Sequence, residues 1–207
     1  GYTQFCRYLR DWQAAQDPTM RFEHVAGDKL FVDWAGQTIR YGPDSREGYL
    51  FVAVLGASNY TFAAVYPDMK MQSWIRAHVE ALDFLGGVPR LIVPDNARTA
   101  VSKPCFYDPE VNRTYQELAA HYGTAVLPTR SRKPRDKAKG ENAVQNAERR
   151  ILAAVRNMQF QTLGQLQEAI RAKNAQLNER PFSKMDGSRL ELFLSLDQPA
   201  LKALPGR

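Results

Sequence analysis

The sequence predicts an α/β domain built on a mixed five-stranded sheet, in which three antiparallel strands precede two parallel strands. Three apolar segments follow one another with only short turns between them, as in an antiparallel meander. After them, helical and strand patterns alternate, as in parallel sheets with crossover helices. With 207 residues and 44% hydrophobic content, the chain is long enough for one sizeable core.

The first half of the chain holds a short helix and the three antiparallel strands. Apolar residues at helical spacing predict an amphipathic helix over 3–16. Alternating residues predict a strand over 29–35 that closes at Gly36. The runs 49–55 and 61–66 predict the next two strands, which are joined by turn residues.

Helices alternate with strands in the second half. We expect, in order, a helix over 71–85, a strand over 91–93, a helix over 108–122, a strand over 124–127 and a long helix from about Asp136. Asp108 would cap the second of these helices, with Pro109 at its first position. Thr162 and Ser188, each followed three residues later by Gln or Glu, predict capping boxes that start two further helices.

These elements suggest three regions. We expect an N-terminal helix and linker over 1–27, a central α/β core over 28–180 and a helical tail over 181–207. The chain starts at Gly1 without a methionine and ends in a polar segment. We therefore expect it to be a fragment of a longer protein.

Positive charge is concentrated in one part of the sequence. The net charge is +6 with a pI near 9.4. Residues 130–156 contain nine Lys or Arg and three acids, so this segment alone carries an excess equal to that of the whole chain. A local basic surface of this kind is typical of proteins that bind a phosphate backbone, although a solvated loop is the simpler alternative.

Cysteine and histidine usage argues against several kinds of site. Cys6 and Cys105 are far apart and lack a CxxC partner, so neither a zinc site nor a disulfide framework is predicted. Cys105 has no local base that would make it a nucleophile, and His78 is expected to be a half-buried packing residue. No apolar run approaches the roughly 20 residues needed to span a bilayer, and no signal peptide is visible. We expect a reduced, cytoplasmic protein.

Three acids occur where their residue type is unexpected. Asp33 lies inside a strand, and Asp95 directly follows a short buried strand. Stepping the apolar stripe of the long helix back one turn from Val144 reaches Glu141, which is therefore predicted to face the protein body. Taken singly, the two aspartates could be turn residues and Glu141 a helix-dipole acid.

The order of the elements allows the three acids to converge. Crowded carboxylates repel one another unless a cation is present. Mg²⁺ prefers hard oxygen ligands and is usually held by one or two carboxylates together with substrate phosphate. Two such ions could support an in-line phosphoryl transfer.

With these residues in view, the chain resembles the catalytic core of an IstA-type bacterial transposase, within the retroviral-integrase superfamily of DDE enzymes. The resemblance is carried by three motifs in order: Arg21-Phe22-Glu23 with Gly27 and Val32-Asp33-Trp34, then Pro94-Asp95-Asn96, then Arg135-Asp136-Lys137-Ala138-Lys139 with Glu141 and Val144-Gln145. It covers most of residues 20–180.

This resemblance implies a ribonuclease-H-like fold and a catalytic triad of Asp33, Asp95 and Glu141 that binds two Mg²⁺ ions, with Mn²⁺ as a possible substitute. It implies attack of a DNA 3′-hydroxyl on a target phosphodiester, in a homo-oligomer assembled on transposon ends and target DNA. It further implies a separate AAA+ ATPase helper and association with the bacterial nucleoid. The sequence departs from the family pattern at Gly140, which costs helix stability, and in its long step from Asp95 to Glu141.

Basic residues near Glu141 are the candidates for DNA contacts. We expect Lys137 and Lys139 to bind phosphates, with Arg135, Lys133, Arg132 and Arg130 as further contacts. Two alternatives remain open at this point. One is a nuclease of the same fold that uses water as the nucleophile, and the other is a non-catalytic DNA-binding or assembly module.

Overall fold

A computed structural model of the chain describes residues 1–15, 24–94, 101–103, 110–128, 134–183 and 185–206. For residues 10–15, 101–103, 110–111 and 134–143 it describes the backbone alone. No helix within these described ranges is both long and apolar enough to cross a membrane.

The described residues form seven strands and six α-helices. The strands are β1 (Lys29–Tyr41), β2 (Arg46–Leu55), β3 (Thr61–Tyr66), β4 (Leu91–Pro94), β5 (Val101–Lys103), β6 (Glu110–Val111) and β7 (Ala125–Val126). The helices are α1 (Tyr2–Ala15), α2 (Met71–Leu85), α3 (Arg113–Tyr122), α4 (Pro134–Val155), α5 (Leu163–Glu179) and α6 (Arg189–Leu192). One π-helical turn (Phe193–Asp197) and one 3₁₀ turn (Gln198–Ala200) follow α6.

The main sheet confirms the predicted mixed architecture. Its five strands lie in the order β3-β2-β1-β4-β7. β1, β2 and β3 pair antiparallel, whereas β1, β4 and β7 pair parallel. β4 and β7 are shorter than the antiparallel strands, so β1 and β2 extend beyond them.

β1 is longer than the sequence predicted. The expected strand closed at Gly36, but β1 continues to Tyr41 and pairs along the whole of β2. The register shifts between Trp34 and Thr38, so three residues of β1 lie opposite Leu50 alone. This bulge interrupts the alternation of buried and exposed residues, which explains why the sequence pattern appeared to stop there.

The prediction for the start of α3 was wrong. The helix begins at Arg113, where the Asn112 side chain accepts a hydrogen bond from the Thr114 amide, and it is not capped by Asp108. The residues just before it pair with β5 as a small two-stranded sheet that was not predicted. A short strand therefore occupies residues that the helical pattern had included. Residues 104–109 lie outside the described part of the chain.

Helices cover both faces of the main sheet. One face packs against α2 and α3, through Trp34 and Phe51 of the sheet and Trp74 and Tyr115 of the helices. The other face packs against α4 and α5. In the predicted stripe of α4, Val144, Ala147, Ile151 and Val155 are buried and Leu152 is partly buried. The prediction for α4 is confirmed, although the helix starts two residues earlier than expected, with Pro134 at its first position.

α5 also covers the outer edge of β3. The Gln167 side chain accepts a hydrogen bond from the Val65 amide at 2.7 Å. Asn178 both accepts from the Thr61 amide and donates to the Thr61 carbonyl, and Asn174 donates to that carbonyl as well. These amides occupy backbone groups that an exposed edge strand would offer to another chain.

The segment after α5 contacts the end of the sheet at which β1 begins and at which β2 turns into β3. Ser188 and Glu191 form the predicted capping box at the start of α6. Asp197 is buried, and its two carboxylate oxygens accept hydrogen bonds from the amides of Gly27 and Ser58 at 2.7 and 2.9 Å. Lys202 pairs with Val88 through the backbone. The C-terminal residues are thereby fixed to the loops that enter the sheet.

Candidate active site

Asp33 interrupts an otherwise buried face of β1. Its neighbours on that face, Phe31 and Ala35, are each 8% exposed and belong to the core beneath α4. Asp33 itself is partly exposed, and its Oδ1 accepts a hydrogen bond from the Trp34 amide at 2.8 Å. The Asp33 carboxylate therefore lies at the border of the core with access to solvent. Asp33 is a residue within β1 and not a turn residue.

The parallel pairing of β1 and β4 defines the surroundings of Asp33. Val32 is the register partner of Pro94, and this is the last pair of that ladder. Asp33 directly follows Val32 in the sequence, and Asp95 directly follows Pro94. Asp95 lies outside the described residues, so its position relative to Asp33 stays a prediction. The carboxyl ends of parallel strands are where α/β sheets generally bind ligands.

α4 passes over the same face of the sheet. Val144 and Ala147 pack in one cluster with Phe31, Ala35 and Val93. Glu141 belongs to α4 and precedes Val144 by three residues, and the helix continues through Gly140 without interruption. Only the backbone of Glu141 is described. No group of three metal-ligating residues occurs within the described part of the chain, in which the Asp95 and Glu141 side chains are not included.

The predicted DNA contacts fall at the limit of the described structure. Lys137, Lys139 and Arg135 lie in the first two turns of α4, where the backbone alone is described. Lys133, Arg132 and Arg130 lie outside the described residues. Their roles stay predictions.

A groove between β1 and α4 was not foreseen from the sequence. It has a volume of about 880 Å³, and it extends from the bulge at Gly36 and from Gln145 on α4 toward Met158. Gly36 follows Asp33 by three residues and Gln145 follows Glu141 by four. One end of the groove is therefore formed by β1 and α4, the two elements that carry Asp33 and Glu141.

The groove is lined by more cations than anions. Arg40, Arg149 and Arg156 contribute to its walls, together with Glu148. Burial raises the pKa of the Glu148 carboxyl, and the neighbouring Arg149 acts in the opposite direction. The wall from β1 exists because the strand continues past the bulge. Arg40 lies in this continuation of β1, beyond Gly36, where the predicted strand closed.

His78 is not part of this site. It is fully buried under the opposite face of the sheet, where its Nδ1 lies 2.8 Å from the Trp74 carbonyl and its Nε2 lies 2.9 Å from the Tyr115 hydroxyl. Burial lowers the pKa of His78 to about 4. The predicted packing role is confirmed, but the expected half-burial was wrong.

Solved structures with the same architecture define the fold. The catalytic core of BIV integrase matches with a TM-score of 0.57 at 15% identity, over 82% of this chain and 95% of that core. The HTLV-2 integrase core in complex with magnesium matches with a TM-score of 0.57 at 16% identity, over 83% of this chain and 99% of that one. The domain is thus a ribonuclease-H-like α/β fold with the integrase-core arrangement, as predicted.

Within this fold class the chain belongs to the integrase core domain family, whose model matches residues 23–134. A Burkholderia multivorans protein named "Putative transposase for insertion sequence IS408" is 48% identical over all of this chain and 40% of its own length. A Pseudomonas fluorescens relative with the corresponding name for IS1162 is 46% identical over 99% of this chain and 37% of its own length. The chain spans about two fifths of these relatives. The resemblance to insertion-sequence transposases is confirmed.

Proposed function

We propose that this chain is the catalytic core of a transposase that carries out metal-dependent DNA strand transfer during insertion-sequence transposition. The observation that carries the proposal is the partly exposed Asp33 carboxylate on the face covered by α4, one residue past the Val32–Pro94 pair. The acid interrupts an otherwise apolar face of β1, and it lies just past the last pair of the parallel ladder between β1 and β4.

In this proposal Asp33, Asp95 and Glu141 act together as the catalytic acids. Asp95 directly follows Pro94, the residue that pairs beside Asp33. Residues three apart on a helix share a face, so position 141 lies one turn from Val144 on the side that packs against β1. Both relationships support a meeting of the three carboxylates at one end of the sheet.

The chemistry of these three donors fits a divalent cation. Carboxylate oxygens are hard ligands of the kind that Mg²⁺ prefers, and three of them together would repel one another without a cation. We propose two Mg²⁺ ions, replaceable by Mn²⁺, held by Asp33, Asp95 and Glu141. When bound, such ions neutralise charge that develops on the phosphate and favour loss of the proton from the attacking hydroxyl.

The proposed reaction exchanges one phosphodiester bond for another. A DNA 3′-oxygen forms a bond to a phosphorus of the target strand while the bond from that phosphorus to the target 3′-oxygen breaks. The attacking hydroxyl loses a proton and the leaving oxygen gains one. The number of phosphodiester bonds stays constant, so no nucleotide cofactor is consumed. The acids would hold the reacting groups in line, which is the main requirement of such a transfer.

DNA would approach along the basic side of α4. We propose that Lys137 and Lys139 bind phosphates, supported by Arg135, Lys133, Arg132 and Arg130, and that the adjoining groove continues this path. Reversing the charges of Lys137 and Lys139 should weaken DNA binding and reduce its dependence on salt. Unchanged affinity and unchanged salt dependence would remove these two residues from the interface.

The proposed assembly extends beyond one chain. The protein would act as a homo-oligomer on transposon ends and target DNA, with a separate AAA+ ATPase as helper, in the bacterial cytoplasm at the nucleoid. A simian T-cell lymphotropic virus intasome matches with a TM-score of 0.63 at 15% identity, over 90% of this chain and 60% of that one. The size of the assembly can be measured by mass photometry with and without paired DNA ends.

A joining assay tests the proposed activity. The substrate is a DNA end with a pre-cut 3′-hydroxyl, incubated with a target plasmid and Mg²⁺. Asp33→Asn, Asp95→Asn and Glu141→Gln should each abolish joining and leave DNA binding nearly intact. Asp44→Asn is the matched control, because Asp44 is an exposed aspartate in the β1–β2 turn.

The outcomes of this assay separate the alternatives. Cleavage of DNA without joining would replace strand transfer by hydrolysis at the same site. Binding that survives EDTA, with neither joining nor cleavage by the wild type, would make the chain a binding module. Full activity in one acid variant would exclude that acid from the site.

A further inference from the structure

Three arginines lie near the C-terminal end of α5, close enough for the charges of Arg150 and Arg180 to act on Arg189. Arg180 caps the C-terminal end of α5, Arg189 is the first residue of α6, and Arg150 lies on α4. Pro181 and Ser188 pair as an isolated antiparallel bridge, which places positions 180 and 189 opposite each other. The loop between α5 and α6 therefore brings two cations together that are nine residues apart in sequence.

Contacts within the protein hold Arg189 in place. Its Nη1 donates a hydrogen bond to the Leu177 carbonyl at 3.2 Å, and its Cζ lies 5.0 Å from the centre of the Phe182 ring. Arg189 is half-buried, whereas Arg150 and Arg180 are exposed. One guanidinium is thus fixed against the protein, and the other two flank it at the surface.

No carboxylate neutralises this cluster in the described structure. Among the ion pairs of the described residues, none involves Arg150, Arg180 or Arg189. Glu191, the nearest acid in sequence to Arg189, accepts its hydrogen bond from the Ser188 amide in the capping box. Burial and the charges of Arg150 and Arg180 lower the pKa of Arg189, and no acid acts against them.

The C-terminal end of α5 accounts for only part of this charge. A helix end carries roughly half a negative charge, which stabilises cations such as Arg180 and Arg189 nearby. Three guanidinium groups leave an excess of about two and a half positive charges near this end. Like charges held together destabilise a fold, and a bound anion removes that cost.

We propose that Arg150, Arg180 and Arg189 form a second phosphate-binding surface for the DNA backbone, separate from the basic start of α4. The surface is open, since two of its three side chains are exposed, and it therefore suits an extended polyanion. Guanidinium groups match phosphate oxygens in a bidentate geometry. Arg149, which lines the groove, directly precedes Arg150 in α4. The groove and the proposed surface are therefore adjacent on this helix. This inference rests on the proposed DNA-processing function.

The test measures DNA binding as a function of salt concentration, without metal. Binding of a fluorescent DNA duplex is followed by anisotropy in EDTA over a series of KCl concentrations. The Arg150→Gln/Arg180→Gln variant changes only exposed side chains and leaves the contacts of Arg189 in place. The control is Lys70→Gln/Arg113→Gln, which also removes two exposed cations. Lys70 directly precedes α2 and Arg113 is the first residue of α3, so both lie on other elements.

We expect the cluster variant to bind more weakly and the control to bind as the wild type does. The slope of log affinity against log salt should become less steep by roughly 2, because each phosphate contact contributes about −0.9. Neither variant should unfold at a lower temperature than the wild type, because the cluster variant removes like charges and both variants change only exposed side chains. A cluster variant with the wild-type slope and affinity would overturn the inference and leave strand transfer standing. Wild-type protein that fails to bind DNA at all would overturn both.

Discussion

Val32 and Pro94 lie opposite each other in the parallel ladder between β1 and β4, and they form its last pair. This register determines which residues follow the end of the ladder, namely Asp33 after Val32 and Asp95 after Pro94 in the sequence. A slip by one residue would move Asp33 to the opposite face of the sheet, beneath α2 and α3. The pairing of two apolar residues therefore decides whether the acid can take part in a metal site.

The proposed metal site should make the thermal stability of the protein depend on divalent cations. Mg²⁺ or Mn²⁺ should raise the melting temperature of the wild type, because a ligand that binds the folded state alone stabilises it. Asp33→Asn should lose most of this increase and remain at least as stable as the wild type without metal, since the proposed group of three carboxylates would lose one of its charges. Thermal unfolding with and without Mg²⁺ measures both effects. An equal metal-induced increase in Asp33→Asn and in the control Asp44→Asn would contradict the assignment.

The buried pair of His78 and Tyr115 should contribute to the stability of the core. The Trp74 carbonyl can only accept, so Nδ1 of His78 donates to it and Nε2 accepts from the Tyr115 hydroxyl. Tyr115→Phe leaves a buried acceptor without a partner, which should cost about 1–3 kcal/mol of unfolding free energy. Urea unfolding measures this loss. Tyr8→Phe, which removes an exposed hydroxyl from α1, should change stability by less than about 0.5 kcal/mol.

His78 should also make stability depend on pH. Its pKa is about 4 in the folded protein and about 6.5 when unfolded. Below pH 6.5 the unfolded chain takes up a proton that the folded protein does not, so stability falls as the pH is lowered toward 4. The total loss is on the order of 3 kcal/mol. The slope should largely disappear in His78→Asn and persist in His121→Asn, which changes an exposed residue. A slope that survives in His78→Asn would assign it to other groups.

Asp197 should be essential for attaching the C-terminal segment to the core. Its carboxylate accepts from two backbone amides that are 139 and 170 residues away in sequence. Asp197→Asn places an amide nitrogen against one of these donors, and the expected loss is about 3 kcal/mol of unfolding free energy. Chemical denaturation compares this variant with Asp186→Asn, a change at an exposed loop position. Equal stability of the two variants would show that the buried carboxylate does not hold the segment.

Much of the fold follows from local sequence patterns. The runs in β2 and β3, the apolar stripe of α4 and the Ser188–Glu191 capping box are each determined by neighbouring residues, and each was predicted. The bulge in β1 was not, because two extra residues break the alternation that identifies a strand. The start of α3 was missed because an Asp-Pro pair resembles a helix cap in isolation.

The site was only partly predictable for a different reason. Asp33 stood out because an aspartate is unusual within a strand, and the structure gives it a partly exposed place beside Pro94. The groove, the arginine cluster and the role of Asp197 depend on residues that are distant in sequence. Such contacts follow from the packing of helices on the sheet, which no local pattern specifies.

The central claim is that Asp33, Asp95 and Glu141 share divalent ions, and a crystal structure of the protein with Mn²⁺ tests it most directly. Anomalous scattering locates the ions independently of the protein coordinates. The account predicts that each of the three carboxylates ligates at least one ion at about 2.0–2.2 Å, with the two ions roughly 3.5–4 Å apart. Mn²⁺ bound elsewhere, or carboxylates too far apart for one or two ions to bridge, would contradict it.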